Sequence, residues 1–172
     1  MDPFCYSKEE TVEWLMSEYG KRIVRLAFTY LKEEHLAEDV AQEVFIKCYQ
    51  KFDTFRNESS YQTWLYSITV NLCKDRLRSW YFRKIVINNF LPNSSISRNT
   101  PESALVEGEF RMELSQCVLE LPIKYREVII LFYYEELTYQ QINQLLGISN
   151  QTIKSRLYRG RNLLKKKLEG GK

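Results

Sequence analysis

Several features that mark common functional classes are scarce in this chain of 172 residues. It contains six glycines, four prolines and a single histidine, His35. Its cysteines, Cys5, Cys48, Cys73 and Cys117, lie far apart and form no CxxC pair. Zinc ligands normally come in closely spaced pairs, so this spacing favours ordinary reduced thiols over a metal site. The sequence therefore predicts no metal and no other cofactor.

Long apolar runs are also missing. No run of about 18 apolar residues occurs, and the N-terminal MDPFCYSKEE lacks the basic segment followed by an apolar one that marks a signal peptide. We therefore expect a cytoplasmic protein. A hydrophobic content of 44% and an aromatic content of 14% argue against a disordered chain. This length can bury one core of ordinary size or two small ones.

Charge is nearly balanced overall but unevenly placed. The formal net charge is +3, yet residues 108–172 alone carry eleven basic and seven acidic side chains. Residues 1–87 carry thirteen of each sign. Since binding to a polyanion depends on the local potential, the small net charge does not argue against a nucleic-acid partner.

Almost the whole chain has the periodicity of amphipathic helices. Ser7 and Glu10 have the spacing of a capping box at the start of the first helix. Apolar residues then recur three or four positions apart, at Leu15, Tyr19, Ile23, Leu26 and Tyr30. A second helix is predicted from an apolar series four residues apart, at Leu36, Val40, Val44, Cys48 and Phe52.

The second helix carries an unusual stripe beside its apolar side. The stripe mixes carboxylates, amides and an isoleucine, at Asp39, Gln42, Glu43, Ile46 and Gln50. A purely solvated face more often alternates Glu with Lys in stabilising pairs. From these residues alone, a partner-docking face and a solvated face both stay open.

An aromatic loop and a partly basic helix follow. The polar segment 52–61 has an aromatic residue at each end, and from Asn71 to Lys84 there are five basic residues and one acidic residue. Aromatic rings interleaved with cations suit single-stranded nucleic acid, because bases stack on the rings while cations follow the phosphates. The alternative is that the rings form a core, which we prefer for Trp64 but not for Tyr61.

Residues 88–104 are rich in Asn, Ser and Pro and have no sustained period, which predicts a linker. About 20 residues can extend to about 66 Å at 3.3 Å per residue. One turn of duplex DNA is only about 34 Å. The flanking domains could therefore contact one DNA molecule at separate places.

The last two helices match the helix-turn-helix plan. Thr138 and Gln141 form a capping box, Gly147 supplies a turn, and Ser149 can cap the final helix. Seven basic residues and no acidic residue occur between Lys154 and Lys167. Alone, this helix is compatible with a solvated tail or a polyanion-binding surface. The preceding helix and glycine turn favour a second helix that enters the DNA major groove.

Two motif groups resemble bacterial RNA polymerase sigma factors of the extracytoplasmic-function subfamily. The segment AEDVAQEVFIKCYQKFDTFRNESSYQTWLYSITVNLCKDRLR is similar to the family's region 2. The segment LPIKYREVIILFYYEELTYQQINQLLGISNQTIKSRLYRGRNLLKKKL is similar to region 4. The resemblance implies an all-α chain with a region 2 domain at 1–87, a linker at 88–107 and a region 4 domain at 108–172.

The resemblance also implies site residues. By this resemblance, the residues that dock on the clamp helices of the polymerase beta-prime subunit are Asp39, Gln42, Glu43 and Ile46. Contacts with the bases or phosphates of the upstream (−35) element fall to Lys154, Ser155, Tyr158 and Arg159, and contacts with its backbone to Thr152 and Arg156. By the same resemblance, the residues that recognise and open the downstream (−10) element are Phe55, Arg56, Asn57, Ser60, Tyr61, Gln62, Asn71 and Arg78.

The implied partners are core RNA polymerase, through the beta-prime clamp helices and the beta flap, promoter DNA, and a membrane-bound anti-sigma factor. The free protein is expected to be a monomer without catalytic activity. The chain departs from the family at Glu136, where glycine is common, and at Asn143, where a small residue is usual.

Two other classes were weighed. A free-standing helix-turn-helix regulator would need dimer symmetry or an effector domain, and the sequence offers neither heptads nor a ligand-binding module. A carboxylate-metal hydrolase would use Glu34, Glu38, Asp39 and Glu43, but no second cluster in the sequence completes such a site.

Overall fold

The computed structural model describes residues 7–55, 59–88 and 107–170, with side chains described in 7–55, 59–79 and 113–170. Within these ranges the chain is helical and has no β-strand, as predicted. The helices are α1 (Lys8–Leu31), α2 (Glu34–Lys51), α3 (Tyr61–Asn88), α4 (Glu107–Glu120), α5 (Ile123–Ile129), α6 (Tyr139–Leu146) and α7 (Asn150–Gly170). A 3₁₀ turn (Phe52–Thr54) follows α2, and a π-helical turn (Ile130–Tyr134) extends α5.

Helices α1, α2 and α3 pack together, and we call them the N-terminal bundle. The predicted capping box at Ser7 and Glu10 is present, with both reciprocal hydrogen bonds formed. The predicted apolar series of α1 and α2 supply most of the core, together with Leu65, Tyr66 and Val70 of α3. Leu36 differs from the prediction: it lies in the first turn of α2 and is 40% exposed.

Helices α4 to α7 form a smaller C-terminal bundle. The Thr138–Gln141 capping box is present, and Gly147 ends α6 in the left-handed conformation, with φ of 67°. Gly160 lets α7 lie close to α5, since a Cβ there would be 3.1 Å from Ile129 Cγ1. The turn and the close approach fix α7 against the bundle along its Ile153 and Leu157 side.

Two residues other than glycine have positive φ, Lys32 after α1 (58°) and Glu136 after the π-helical turn (54°), among the residues placed by the structure. The left-handed conformation costs an L-residue with a Cβ roughly 1–2 kcal/mol. A glycine, which the resemblance leads us to expect at the position of Glu136, would avoid this cost.

Buried charge in the described side chains is confined to the C-terminal bundle, at Arg126, Glu127 and Glu135. Arg126 donates hydrogen bonds to the carbonyl oxygens of Leu119 and, at 3.3 Å, of Leu121. It thereby connects the end of α4 to α5. Burial lowers the pKa of the Arg126 guanidinium from its usual value.

Cys48, Cys73 and Cys117 are free thiols, and Cys5 lies outside the described residues. Burial raises the pKa of Cys48 to about 11 and that of Cys73 to about 12. The described ranges contain neither a group of three potential metal-ligating side chains nor a helix long and apolar enough to cross a bilayer.

Candidate nucleic-acid interface

The start of α7 is held by the predicted Ser149 cap. The Thr152 backbone N–H donates to Ser149 Oγ at 3.1 Å, and the two hydroxyls share a hydrogen bond of 2.9 Å. Thr152 is half-buried, so its hydroxyl belongs to the cap. The cap, the Gly147 turn and the buried Ile153 together fix which face of α7 points outward.

Four of the six residues predicted to contact the upstream element are exposed on that outer face: Lys154, Ser155, Tyr158 and Arg159. Tyr158 is 61% exposed, which is unusual for a large aromatic ring. Lys154 Nζ lies 5.8 Å from the centre of the Tyr139 ring at the start of α6. Arg159 lies beside Tyr125 and lowers the pKa of that phenol by hydrogen bonding to it. The outer face thus combines cations with polar and aromatic groups.

Arg156 is placed differently from these four residues. Its Nη1 donates to Glu127 Oε1 at 2.9 Å, and the arginine side chain is only partly exposed. The charge of Arg156 is therefore already paired within the protein. The structure does not bring this predicted backbone contact onto the exposed face.

An aromatic cluster forms where α3 begins. Phe55 lies 4.9 Å from the Tyr61 ring and 4.7 Å from the Trp64 ring, and Phe52 stacks on Tyr61 at 6.4 Å. Trp14 of α1 meets Tyr61 edge to face at 6.4 Å and is 49% exposed. Tyr61 and Trp64 are both half-buried, so each packs in the cluster and keeps accessible surface.

The other described residues predicted to contact the downstream element lie at the start of α3 or further along it. Ser60 Oγ caps α3 by accepting from the Thr63 backbone N–H at 3.2 Å. Gln62 Nε2 donates to the Glu135 carbonyl at 3.3 Å. Asn71 is exposed, and Arg78 is exposed beside Asp75 at 3.4 Å. Arg56 and Asn57 lie outside the described residues.

The predicted docking stripe lies on the outside of α2. Asp39 and Gln42 are exposed, and Ile46 is 57% exposed. Glu43 is partly enclosed, since it accepts from Arg76 Nη2 at 3.0 Å and pairs with Lys47 at 3.6 Å. Three of the four residues predicted to dock on the polymerase are therefore open to a partner.

The stripe borders an apolar cleft of about 430 Å³ between α1 and α2, to which α1 contributes Val12 and Met16. This contribution from α1 was not predicted from the sequence. The available signal was Met16, an apolar residue that does not belong to the regular apolar series of its helix.

Comparison with known proteins matches both halves of the chain. Residues 15–80 match the model for Sigma-70 region 2, and residues 111–164 match that for Sigma-70, region 4. The chain is 38% identical to the ECF RNA polymerase sigma factor SigW of Bacillus subtilis over 158 residues, which cover 87% of this chain and 84% of that protein. It is 30% identical to SigM of the same organism, covering 90% and 93%.

The chain belongs to the extracytoplasmic-function sigma factors. The sigma factor RpoE of Bartonella quintana, solved with the anti-sigma factor NepR, has the same fold with a TM-score of 0.74 and 22% identity, covering 91% of this chain and 96% of that one. The predicted family and all-α fold are confirmed. The family assignment replaces the alternative of a free-standing regulator. Sigma factors bind core RNA polymerase and promoter DNA, so both are partners of this chain.

One group of residues in this sigma factor was not found from its sequence. Glu127 and Glu135 are buried and bonded to side chains of the N-terminal bundle: Tyr30, Lys74 and Tyr66. A signal was present, because the two carboxylates flank the most apolar stretch of region 4, VIILFYY. A buried carboxylate needs a partner. The sequence does not reveal which residues supply it.

Proposed function

We propose that this sigma factor recognises the −35 element with the exposed face of α7 and the −10 element with the aromatic cluster, without catalytic activity of its own. The observation that carries the proposal is the outer face of α7, where Lys154, Ser155, Tyr158 and Arg159 are exposed above a buried Ile153. A capped helix that follows a glycine turn and presents such groups is suited to the major groove.

The aromatic cluster is suited to the opposite end of the promoter. Extracting a base from the duplex costs a few kcal/mol, and stacking on an aromatic ring recovers about 1–3 kcal/mol per base. Tyr61, Phe55 and the exposed Trp14 offer such rings. In this proposal the cluster holds unpaired −10 bases, and Asn71 and Arg78 lie along the adjoining strand.

Core polymerase is proposed to dock on the outer face of α2. The exposed Ile46, beside the exposed Asp39 and the apolar cleft, supports this, since interfaces combine an apolar centre with a polar rim. The beta-prime clamp helices would contact this face, and the beta flap would contact the C-terminal bundle. Residues 1–87 and 108–172 act as the two domains, joined by a linker at 88–107.

An anti-sigma partner is part of the proposal. The structurally similar sigma factor RpoE was solved with the anti-sigma factor NepR, and the structurally similar CnrH was solved with the cytosolic domain of CnrY. We propose that a membrane-bound anti-sigma factor holds this chain inactive in the cytoplasm. Co-purification of the chain from its native cells would identify that protein.

Run-off transcription with core polymerase over a pool of genomic promoters tests the function and yields the promoter consensus. The natural chain is expected to direct discrete transcripts. Lys154→Ala and Arg159→Ala should weaken upstream-element binding by about 1–3 kcal/mol each and leave polymerase affinity intact. Lys165→Ala, an exposed lysine further along the same helix, is the matched control. Loss of polymerase binding in both upstream variants would show that this face is misassigned.

The docking surface is tested by Asp39→Arg. This change is expected to weaken polymerase binding, because it reverses the charge of an exposed group on the proposed interface, and to leave upstream-element binding unchanged. Titration of labelled sigma factor with core polymerase measures the effect. An unaltered affinity would exclude the docking stripe.

A further inference from the structure

A cleft of about 250 Å³ lies between α5 and the second half of α7. Its lining consists of Tyr125 from α5 and of Arg159, Asn162, Leu163 and Lys166 from α7. Gly160 allows the two helices to approach here, since a Cβ at that position would be 3.5 Å from Tyr125 Cβ. The close packing of α7 on α5 therefore places a phenol beside the cations of α7.

The cations that line the cleft differ from three other cations of α7 in their partners. Those three each pair with a carboxylate: Arg156 with Glu127 at 2.9 Å, Lys165 with Glu169 at 3.7 Å and Lys167 with Glu120 at 2.6 Å. Among the described side chains, no carboxylate forms an ion pair with Arg159 or Lys166. The positive charge of the cleft is thus not neutralised by these carboxylates.

Tyr125 connects the cations of the two helices. Arg159 donates a hydrogen bond to its phenol oxygen and, together with the charge of Lys124, lowers the pKa of Tyr125. Lys124 Nζ lies 5.0 Å from the centre of the Tyr125 ring. Since the phenol oxygen already accepts from Arg159, its own O–H remains available to donate. A phenol with a lowered pKa is a stronger donor, and hydrogen bonds to an anion are the strong ones.

The cleft continues the outer face of α7 towards the C-terminus. Asn162 and Lys166 are exposed, and they follow Tyr158 at successive spacings of four residues, which keeps them on one side of the helix. At 1.5 Å per residue they lie about 10 Å and about 16 Å beyond Ser155. The DNA major groove is about 12 Å wide. A helix whose N-terminal turns contact base edges therefore meets the bordering phosphates with residues at this distance.

We propose that this cleft is a phosphate site for the DNA backbone that borders the upstream element, with Lys166, Asn162 and the Tyr125 hydroxyl as donors. Arg159 lies where the cleft adjoins the base-reading face. The inference rests on the proposed function, because the cleft meets DNA only when the outer face of α7 lies in the major groove. Such a contact fixes the register of the recognition helix and carries no sequence information itself.

Two variants remove donors from the cleft. Lys166→Ala removes a charge, and Tyr125→Phe removes only a hydroxyl. The matched controls are Lys165→Ala, the adjacent lysine that pairs with Glu169, and Tyr134→Phe, a 54% exposed tyrosine that does not line the cleft. Each full-length variant is bound to core polymerase and titrated with a labelled duplex that carries the upstream element selected by run-off transcription.

The salt dependence of duplex binding separates the two donors. Losing one phosphate contact in Lys166→Ala should reduce the magnitude of the slope of log K against log salt concentration by about 0.9, and raise the dissociation constant about fivefold at about 0.15 M salt. Tyr125→Phe should raise the dissociation constant about two- to tenfold with an unchanged slope, because the lost group is uncharged. Both controls should match the natural chain. Natural affinity and slope in both cleft variants would overturn the proposal.

Neutral methylphosphonates, placed one at a time in the same duplex, locate the contact. At one position bordering the element, the substitution should weaken the natural complex about fivefold and the Lys166→Ala complex no further, since the two changes remove the same interaction. Additive losses at every position would overturn the phosphate assignment.

Two further outcomes distinguish this inference from its alternatives. Weaker binding of Lys166→Ala to core polymerase, with an unchanged salt slope on DNA, would overturn the phosphate site in favour of an acidic protein surface. Equal affinity of the natural complex for the upstream element and for an unrelated duplex would refute the proposed function, and the inference with it. Loss of affinity in Lys154→Ala, with natural binding in both cleft variants, would refute the phosphate site alone.

Discussion

The two bundles differ in the polar groups that they bury. In the N-terminal bundle the buried polar residues with described side chains are uncharged: Thr11, Thr63 and Thr69. Thr11 and Thr69 each donate to a carbonyl one turn earlier, at 2.9 and 2.8 Å. In the C-terminal bundle they are Arg126, Glu127 and Glu135.

The difference shows which bundle buries charged groups that need donors from the other bundle. A threonine hydroxyl bonded to its own helix needs nothing from another element. The carboxylates of Glu127 and Glu135 depend on donors from the other bundle. We therefore expect loss of the bundle contact to cost the C-terminal bundle more, because it leaves charged carboxylates without donors, whereas in the N-terminal bundle it leaves the uncharged hydroxyls of Tyr30 and Tyr66 without their acceptors.

Truncation of a core side chain has the largest expected effect on the free energy of unfolding. It also tests whether the two bundles unfold separately. Leu26→Ala and Ile153→Ala each remove a fully buried side chain, one from each bundle, and should cost about 2–5 kcal/mol. All three tryptophans, Trp14, Trp64 and Trp80, precede residue 88. In urea titrations, tryptophan fluorescence should therefore shift strongly for Leu26→Ala and little for Ile153→Ala, while circular dichroism shifts for both. Equal fluorescence shifts would show that the bundles unfold as one unit.

Removing a buried polar group should cost more in the C-terminal bundle. Arg126→Met leaves the Leu119 and Leu121 carbonyls without their donor, for a loss of about 2–3 kcal/mol. Thr69→Val removes one local hydrogen bond at similar shape and should cost less than about 1 kcal/mol. Chemical denaturation followed by circular dichroism measures both. A reversed order would contradict the comparison.

Two exposed or half-exposed tyrosines separate the DNA-binding roles of the bundles. Tyr61→Ala should weaken binding to unpaired −10 strand by about 1–3 kcal/mol, because one stacking ring is lost. Tyr158→Ala should weaken only the binding of the −35 duplex. Fluorescence anisotropy with each DNA, in complex with core polymerase, measures the two affinities. If both variants lose affinity for the same DNA, one of the two surfaces has been assigned to the wrong promoter element.

Relief of backbone strain gives the smallest expected effect and should be similar in both bundles. Lys32→Gly and Glu136→Gly each remove a Cβ from a left-handed position and should stabilise the chain by about 1 kcal/mol. For a chain of this size, that amount raises the melting temperature by about 2–4 °C. Differential scanning calorimetry detects such shifts. If either glycine variant is less stable, the native Lys32 or Glu136 side chain makes a contact that stabilises the chain by more than the backbone strain costs.

Local sequence signals predicted the helices well because their causes are local. The capping boxes at Ser7 and Thr138, the Gly147 turn and the Ser149 cap each depend on residues within three or four positions. The apolar series predicted seven of the twelve buried hydrophobic residues of α1 and α2 for the same reason. Leu36 was an exception, since a helix end need not be covered by another helix.

The roles of individual basic residues were harder to predict, because a cation can either pair with a carboxylate of the protein or stay exposed for DNA. Lys154 and Arg156 are two positions apart in the same basic helix. From the sequence, both were predicted to contact the upstream element. The structure leaves Lys154 exposed and pairs Arg156 with Glu127. A cation's accessibility depends on which acid the fold places beside it, and Glu127 is 29 residues away in sequence.

The sequence by itself determined the family, most of the helices at their approximate places and the basic outer face of α7, because periodicity, caps and motif spacing act over short ranges. Only the tertiary structure decided that Glu127 is bonded to Tyr30, 97 residues earlier in the chain, and that Glu135 is bonded to Tyr66. Such pairings depend on how whole helices pack. The basic helix with which region 4 ends is therefore specified locally, while the pairing of its Arg156 with Glu127 depends on how α5 packs against it.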